Sequence, residues 1–418
     1  MLLDPHTIQN HKIGSTLIKK ILELKFCALS IVSSSVAIKG EKKFNQKKHL
    51  IPNELSYLNN NTNVRNNPCL ILDNCKNVLC VAISYHTLVN FNEQLSANHG
   101  KISSYALGRD YHKVLKNKLN ALGQELSKII PNLKYRAIVD SAPFYEKFFA
   151  QFSKNGIIGN NSLVRINNIG STVFLGELLI DYDLITELKP YCLQTDNNLN
   201  SIKTNKNEFT LQTDDSDQNF IQFNLSDYVA YINKGNIFTP KNNECPIGCN
   251  ICKKACPTKS IDNDVLDIKN CISFLTIEYK NFIPLNYWKQ IGTKIYGCDS
   301  CQSSCPINKS YIKKIPSLFN DSFNIKDFTS RYNINFLDFH NLLQLKESDF
   351  NEIFKGSPIL RIRYPQFMRN VIIASTNSLM STNERQELIS LYDKLYGISE
   401  IVDKTLDAAT LLIKNNNE

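Results

Sequence analysis

Apolar residues from Leu17 to Leu24 fall at helical spacing and run into the apolar stretch Phe26 to Val32, which has the length of a buried strand. A lysine-rich polar stretch at 39–50 and an asparagine-dominated one at 59–67 read as solvated loops. Val78 to Tyr85, VLCVAISY, is a continuous apolar run and predicts a second buried strand. Val114, Leu115, Leu119, Leu122 and Leu126 then mark one face of a helix over Tyr111 to Ile130. A short strand follows from Tyr135 to Val139, ending at Asp140. Phe144 to Phe152 reads as a helix and Thr172 to Leu179 as a strand. This alternation predicts an α/β or α+β first domain. Residues 193–219, rich in Asn, Asp, Thr, Gln and Lys, read as a loop or insertion. From Phe336 to Phe354 and from Pro365 to Ile413 the pattern is again helical. Met368, Val371, Ile372 and Leu379 share one face, with Asn370, Asn377 and Ser381 opposite.

At 418 residues the chain has room for two or three domains. Its 42% hydrophobic and 21% charged residues exclude bulk disorder, collagen and coiled coil. No stretch of about 18 uncharged apolar residues occurs, so no membrane-spanning helix is expected. The net charge of +9 suits an anionic partner such as RNA, although a basic surface by itself selects none. The apolar segment Phe26 to Ile38 follows Lys19, Lys20 and Lys25 but starts far from Met1 and is broken by Ser33, Ser34 and Ser35, unlike a signal peptide. A reducing, cytoplasmic compartment is therefore expected, with clustered thiolates binding metal.

Of 13 cysteines, most of those beyond residue 240 stand in two tight groups. The first reads Cys245-x3-Cys249-x2-Cys252-x3-Cys256-Pro257 and the second Cys298-x2-Cys301-x3-Cys305-Pro306. A C-x2-C-x2-C-x3-C-P run marks two-cluster bacterial ferredoxins, in which the last cysteine of each run ligates the other cluster. Cys271 completes the second group. The crossed pattern then assigns Cys245, Cys249, Cys252 and Cys305 to one 4Fe–4S cluster, and Cys271, Cys298, Cys301 and Cys256 to the other. Zinc also takes four cysteines, but the Pro after both terminal cysteines favours iron–sulfur. The cysteines at 27, 69, 75, 80 and 192 are expected to be small buried hydrophobes. Two clusters move single electrons, so the large N-terminal domain should hold their acceptor.

The stretches GRDYH (108–112), DSAP followed by Glu146 (140–146), GSTVFLGE (170–177), CISFLTIE (271–278) and GCDSCQSSCP (297–306) occur in this order. Together they resemble the epoxyqueuosine reductases, from about residue 15 to about 380. The resemblance implies an α+β chain with an N-terminal α/β cobalamin-binding domain (1–235), a two-cluster ferredoxin-like module (236–315) and C-terminal HEAT-like helices (316–418). It also implies cobalamin bound base-off between the first two. The substrate implied is the wobble nucleotide of a tRNA anticodon stem-loop, whose epoxide oxygen is removed.

By motif, Asp140 is the expected proton donor and also a cobalamin contact. Walled in by a corrin, its carboxyl would be pushed up by desolvation and stay protonated near neutrality. The competing reading is a helix cap. The other expected cobalamin contacts are Arg65 (in R-x-x-P, 65–68), Ser103, Val164 with segment 159–164, Leu175 with Phe174, Ser273, Asp299 and Ser300. Arg109, Asp110, Tyr111 and His112 read as a helix start capped by Asp110, near the cofactor. Residues 154–161, KNGIIGNN, depart from the G-x-G-W-x-G-K-N-type stretch usual in the family. Arg361, Arg363 and Arg369 are candidates for tRNA phosphate contacts or for a solvated basic face. An external donor such as a flavodoxin or ferredoxin, a monomer and no membrane are expected. Two rivals stay open. One is a reductive dehalogenase, a class that carries a twin-arginine signal not seen near Met1. The other is a non-enzymatic electron carrier, which leaves the N-terminal domain without a role.

Overall fold

The computed structural model describes residues 5–89, 98–140, 142–152, 156–166, 169–188, 211–212, 220–223, 245–262, 265–319, 322–332, 337–378 and 382–415. Five helices precede or flank the central sheet: α1 Pro5–Glu23, α2 Ala37–Lys47, α3 Thr62–Asn66, α4 Tyr111–Ser127 and α5 Glu146–Phe152. The strands are β1 Ala28–Ser33, β2 Asn77–Ser84, β3 Tyr135–Ile138, β4 Val173–Ile180, β5 Leu211–Gln212 and β6 Phe220–Phe223. They form one six-stranded sheet in the order β3-β4-β2-β1-β6-β5. Every neighbouring pair is antiparallel. Of the two readings left open by the alternation of elements, the chain takes α+β.

The apolar run of β2 is buried over its whole length because both faces of the sheet are covered. Successive side chains point to opposite faces. Leu79, Val81 and Ile83 pack with Leu17 and Ile21 of α1 and with Leu115, Leu119 and Leu122 of α4. Val78 and Cys80 pack with Ala37 of α2 and Phe149 of α5. Each large side chain so buried contributes about 1.5–3 kcal/mol. Gly176 of β4 lets α4 approach closely, since a Cβ there would stand 2.8 Å from Leu115 Cδ2.

Four expectations are corrected. Of 39–50, expected as a solvated loop, residues 39–47 belong to α2. Lys, Glu and Gln are good helix formers, and Ala37, Gly40 and Phe44 make a stripe that packs on α5, with Phe44 5.8 Å from Tyr145. The asparagine-rich stretch contains α3, whose Arg65 is buried. Cys27, Cys75 and Cys80 are buried as expected, but Cys69 is exposed. Cys192, most of 193–219, Leu379 and Ser381 lie outside the described residues.

The fourth correction concerns Tyr364–Thr376, designated α6. It is buried on all sides from Phe367 to Ser375 instead of amphipathic. Its core continues through Ile272, Phe274, Leu275, Trp288 and Ile295. Asn370 Nδ2 donates to Thr276 O at 2.8 Å and Ile295 O at 2.9 Å. Arg369 has no exposed surface, which removes it as a phosphate contact. Its guanidinium donates to Tyr279 O and Asn281 O at 2.7 Å and to Leu275 O at 2.9 Å. These carbonyls lie at and beyond the C-terminal end of the helix Ile272–Ile277, where helix carbonyls lack intrahelical partners. Replacing Arg369 by Met strands three carbonyls in the core. Stability is expected to fall by roughly 3–5 kcal/mol, read as a lower denaturant midpoint of the cluster-loaded protein.

Candidate active site

Between strand β4 and the cysteine-rich segment lies a cleft made of two adjoining hollows. The larger, about 640 Å³, is bordered by Tyr111, His112, Asp140, Glu278 and Arg361. The smaller, about 260 Å³, is bordered by Ser103, Val164, Leu175, Cys298 and Asp299. Tyr105, Tyr111 and Ser273 border both. Tyr111 stacks on Phe174 with ring centroids 4.1 Å apart and planes 2° apart, giving the cleft a flat aromatic wall.

Asp140 lies two residues beyond β3, in the left-handed region at φ 50°. That turn aims its carboxylate at the start of α4. Oδ2 accepts from Tyr111 Oη at 2.6 Å and from His112 Nε2 at 3.2 Å. His112 Nδ1 donates in turn to Asp110 Oδ1 at 2.8 Å, and Asp110 caps α4 by accepting from His112 N at 3.1 Å. Asp140 is therefore no cap of the following helix. The hydrogen bond from His112 holds it at about 2 against the opposing effect of burial, with Tyr111 assisting. For His112 burial disfavours the imidazolium, but the bonds to Asp110 and Asp140 outweigh it and lift the group to about 9. In the protein's own surroundings the proton thus sits on His112, not on Asp140 as expected from desolvation.

The carboxyl that desolvation does raise is Glu146, pushed up to about 8 by burial and then by Asp140. Its Oε1 accepts the Asp140 backbone N–H and closes the 140–146 loop. Glu177 on β4 is buried behind both and is raised by burial first and by Glu146 second. Both belong to recognisable stretches of the sequence, yet their convergence depends on the pairing of Glu177 with Ile138 across the sheet.

Asp299 is fixed by Ser103 Oγ, by Ser104 N at 2.7 Å and by Ser104 Oγ at 2.8 Å. Gly297, at φ 70°, makes this possible, since a Cβ there would stand 2.6 Å from Ser103 Cβ. Ser103, Val164, Leu175, Ser273, Asp299 and Asp140 therefore converge on the cleft. Arg65 and Ser300 are set back from it. Arg65 Nη1 donates to Phe144 O at 3.3 Å, behind the Asp140 turn. Ser300 Oγ stands 3.4 Å from Cys298 Sγ. Of KNGIIGNN, Gly156–Ile158 pairs with Val164–Ile166 as a hairpin, and Asn160 Nδ2 donates to Cys249 O at 3.1 Å.

The cysteines gather in two sets. Cys245, Cys249, Cys252 and Cys305 surround one small pocket together with Arg165. Burial pushes the Cys301 thiol up to about 12, and Cys298, Cys271, Cys256 and Cys252 push it the same way. The first set draws on both loops, with Cys305 joining Cys245, Cys249 and Cys252. Within the described residues no three ligating groups converge on a single point. A single zinc ion would require such a convergence.

A family model described as epoxyqueuosine reductase QueG, DUF1730 matches residues 65–141, and a 4Fe-4S double cluster binding domain matches residues 245–308. The epoxyqueuosine reductase of Vibrio cholerae is 31% identical over 354 residues, 84% of this chain and 78% of that protein. That of Aliivibrio fischeri is 33% identical over 307 residues, 73% of this chain and 65% of that protein. The structure of epoxyqueuosine reductase from Streptococcus thermophilus superposes with a TM-score of 0.69 at 22% identity, over 97% of this chain and 91% of that one. A crystal structure of epoxyqueuosine reductase with an epoxyqueuosine-modified tRNA-Tyr stem loop gives 0.68 at 18% identity, over 97% of this chain and 100% of that one. At these identities the two structures establish the mixed α and β fold.

Proposed function

The chain belongs to the epoxyqueuosine reductase family, and from that premise we propose that it reduces epoxyqueuosine to queuosine in the anticodon stem-loop of tRNA, with Asp140 as the proton donor. The observation that carries the reading is the Asp110–His112–Asp140 chain on the wall of a cleft that Cys298 also borders. We place cobalamin in the cleft, against Ser103, Val164, Leu175, Ser273 and Asp299. The flat Tyr111–Phe174 wall and the hydrogen-bonding rim suit a large planar ring. We assign the eight cysteines to the two clusters in the crossed pattern. When bound, the cofactors supply electrons from two 4Fe–4S clusters to a low-valent cobalt centre able to break the epoxide C–O bond.

The protein's own residues handle the proton. With water expelled, an imidazolium–carboxylate pair is costly and its neutral counterpart less so. His112 then yields its proton to Asp140, Asp140 passes it to the oxygen leaving the ring, where negative charge develops, and a second proton from bulk solvent completes the water that is released. Asp110 keeps the imidazole oriented throughout, and Glu146 holds the Asp140 turn. Arg65 acts through the same loop, as a clamp on Phe144. We read the C-terminal helices as HEAT-like and the electron source as a small external carrier. Arg361, 2.9 Å from Glu278 on the cleft wall, and exposed Arg363 face the substrate's phosphates.

The test is incubation of epoxyqueuosine-containing tRNA with the reduced, cofactor-loaded protein, followed by nucleoside mass analysis. Queuosine should appear in place of its epoxide. An unchanged nucleoside pool with both cofactors verified would overturn the reading. Binding to this tRNA should also weaken steeply with salt. Six to ten phosphate contacts cost about 10³–10⁵ in affinity between roughly 50 and 200 mM. A dissociation constant flat over that interval would speak against a tRNA substrate.

A further inference from the structure

Arg165 lies on the strand Val164–Ile166, and strand alternation turns it away from its neighbour. Val164 borders the smaller hollow of the cleft, while Arg165 enters the pocket of Cys245, Cys249, Cys252 and Cys305. The arginine is only 3% exposed. Its Nη2 donates toward Cys245 Sγ at 3.5 Å and its Nη1 toward Cys305 Sγ at 3.8 Å. The fork thus bridges the first cysteine of one loop and the last cysteine of the other. A guanidinium is planar, permanently charged and rigid in its donor geometry, which suits it to two acceptors at once. A buried cation favours negative charge beside it, and cysteines that ligate a cluster do so as thiolates.

The second set is served differently. Cys256 Sγ lies 3.1 Å from Ser260 Oγ and accepts Ser260 N at 3.3 Å, both neutral donors. Lys294 stands near Cys298 and Cys256, but its Nζ donates to Ile291 O at 3.2 Å. Hydrogen bonds to cluster sulfurs and nearby positive charge stabilise the reduced, more negative state, and so raise the reduction potential.

We propose that Arg165 sets the reduction potential of the iron–sulfur centre held by Cys245, Cys249, Cys252 and Cys305, holding it higher by two charged N–H···S bonds. The inference rests on the ligand assignment above. Arg165 is a positioning residue: it touches neither substrate nor cobalamin and acts through the thiolates. Its effect is to make this centre a ready acceptor of incoming electrons, one residue along the strand from the cleft wall.

The experiment is a mediated redox titration of the anaerobically reconstituted full-length protein, followed by electron paramagnetic resonance of the reduced clusters. Arg165→Met removes the charge and both donors, whereas Arg165→Lys keeps the charge and loses the fork. In the Met variant one centre should lose at least tenfold in its reduced-to-oxidised ratio at fixed poise, equivalent to about 59 mV for a one-electron couple. The Lys variant should shift the same centre less, and the other centre should stay in place in both. Unmoved midpoints in both variants at full iron content would overturn the proposal. So would an unmoved midpoint in Arg165→Lys where Arg165→Met fails to hold iron. Failure of the ligand assignment shows separately, as wild-type protein with iron and labile sulfide well short of two cubanes.

Discussion

Asp140→Asn should lower turnover by about 10²–10⁴-fold, the range typical for loss of a general acid, with cobalamin occupancy and cluster reduction unchanged. Asparagine keeps the size of the side chain and an oxygen that accepts from Tyr111 Oη and His112 Nε2. It cannot carry a proton. A helix cap would survive the change, because Asn caps as well as Asp, so near-normal turnover with verified cofactor would remove Asp140 from the mechanism. The pH profile adds a second readout. His112 is raised to about 9, so the proton it shares with Asp140 is present below that value and lost as pH rises through it. Wild-type turnover should therefore hold across neutrality and decline above about pH 9. In Asp140→Asn one of the two carboxylates that lift His112 is gone. Its titration, followed by NMR, should move down toward the ordinary imidazole range.

What could be read in the sequence was chemistry written locally. The cysteine spacings name their ligand class because three thiolates on one tight loop and a fourth displaced by proline are a single local constraint. The β2 run and the α4 stripe are legible for a similar reason: an unbroken apolar run buried on both faces and a 3.6-residue apolar stripe each lie within one short segment. Residues 39–47 hide their helix because lysines dominate the composition, while Gly40 and Phe44, which face Tyr145 and α5, are easily passed over. Arg369 looked like a surface base because the carbonyls it serves lie some 90 residues earlier in the chain. No property of the α6 sequence announces them.

The site divides in the same way. Asp140 and the residues of the smaller hollow lie in motifs. The protonation state of Asp140 does not, because it depends on a left-handed turn aiming its carboxylate at His112 across 28 positions. Arg165 was invisible for a sharper reason. Its meaning comes from two sulfurs 80 and 140 positions away, and only the hairpin that turns Val164 to the cleft turns Arg165 toward them.

Cys301→Ala is expected to remove about half of the iron and to abolish turnover, because a cubane left with three thiolates is open to solvent and oxidant. Cys301 lies on the short helix Ser300–Ser304, which packs against its counterpart Ile251–Ala255 from the first cysteine loop. A lost centre there should loosen both helices, lowering the thermal midpoint along with the visible absorption. Unchanged iron and absorption would sink the assignment of Cys301 as a ligand. The variant also tests the crossing between loops. Cys256 belongs to the first loop by sequence, yet the crossed assignment gives it to the cluster of Cys271, Cys298 and Cys301. Cys256→Ala should then erase the same paramagnetic signal as Cys301→Ala, and Cys252→Ala the other one. If Cys256→Ala and Cys252→Ala instead erase one common signal, each loop keeps its own cluster, and Arg165 would bridge two centres rather than two ligands of one.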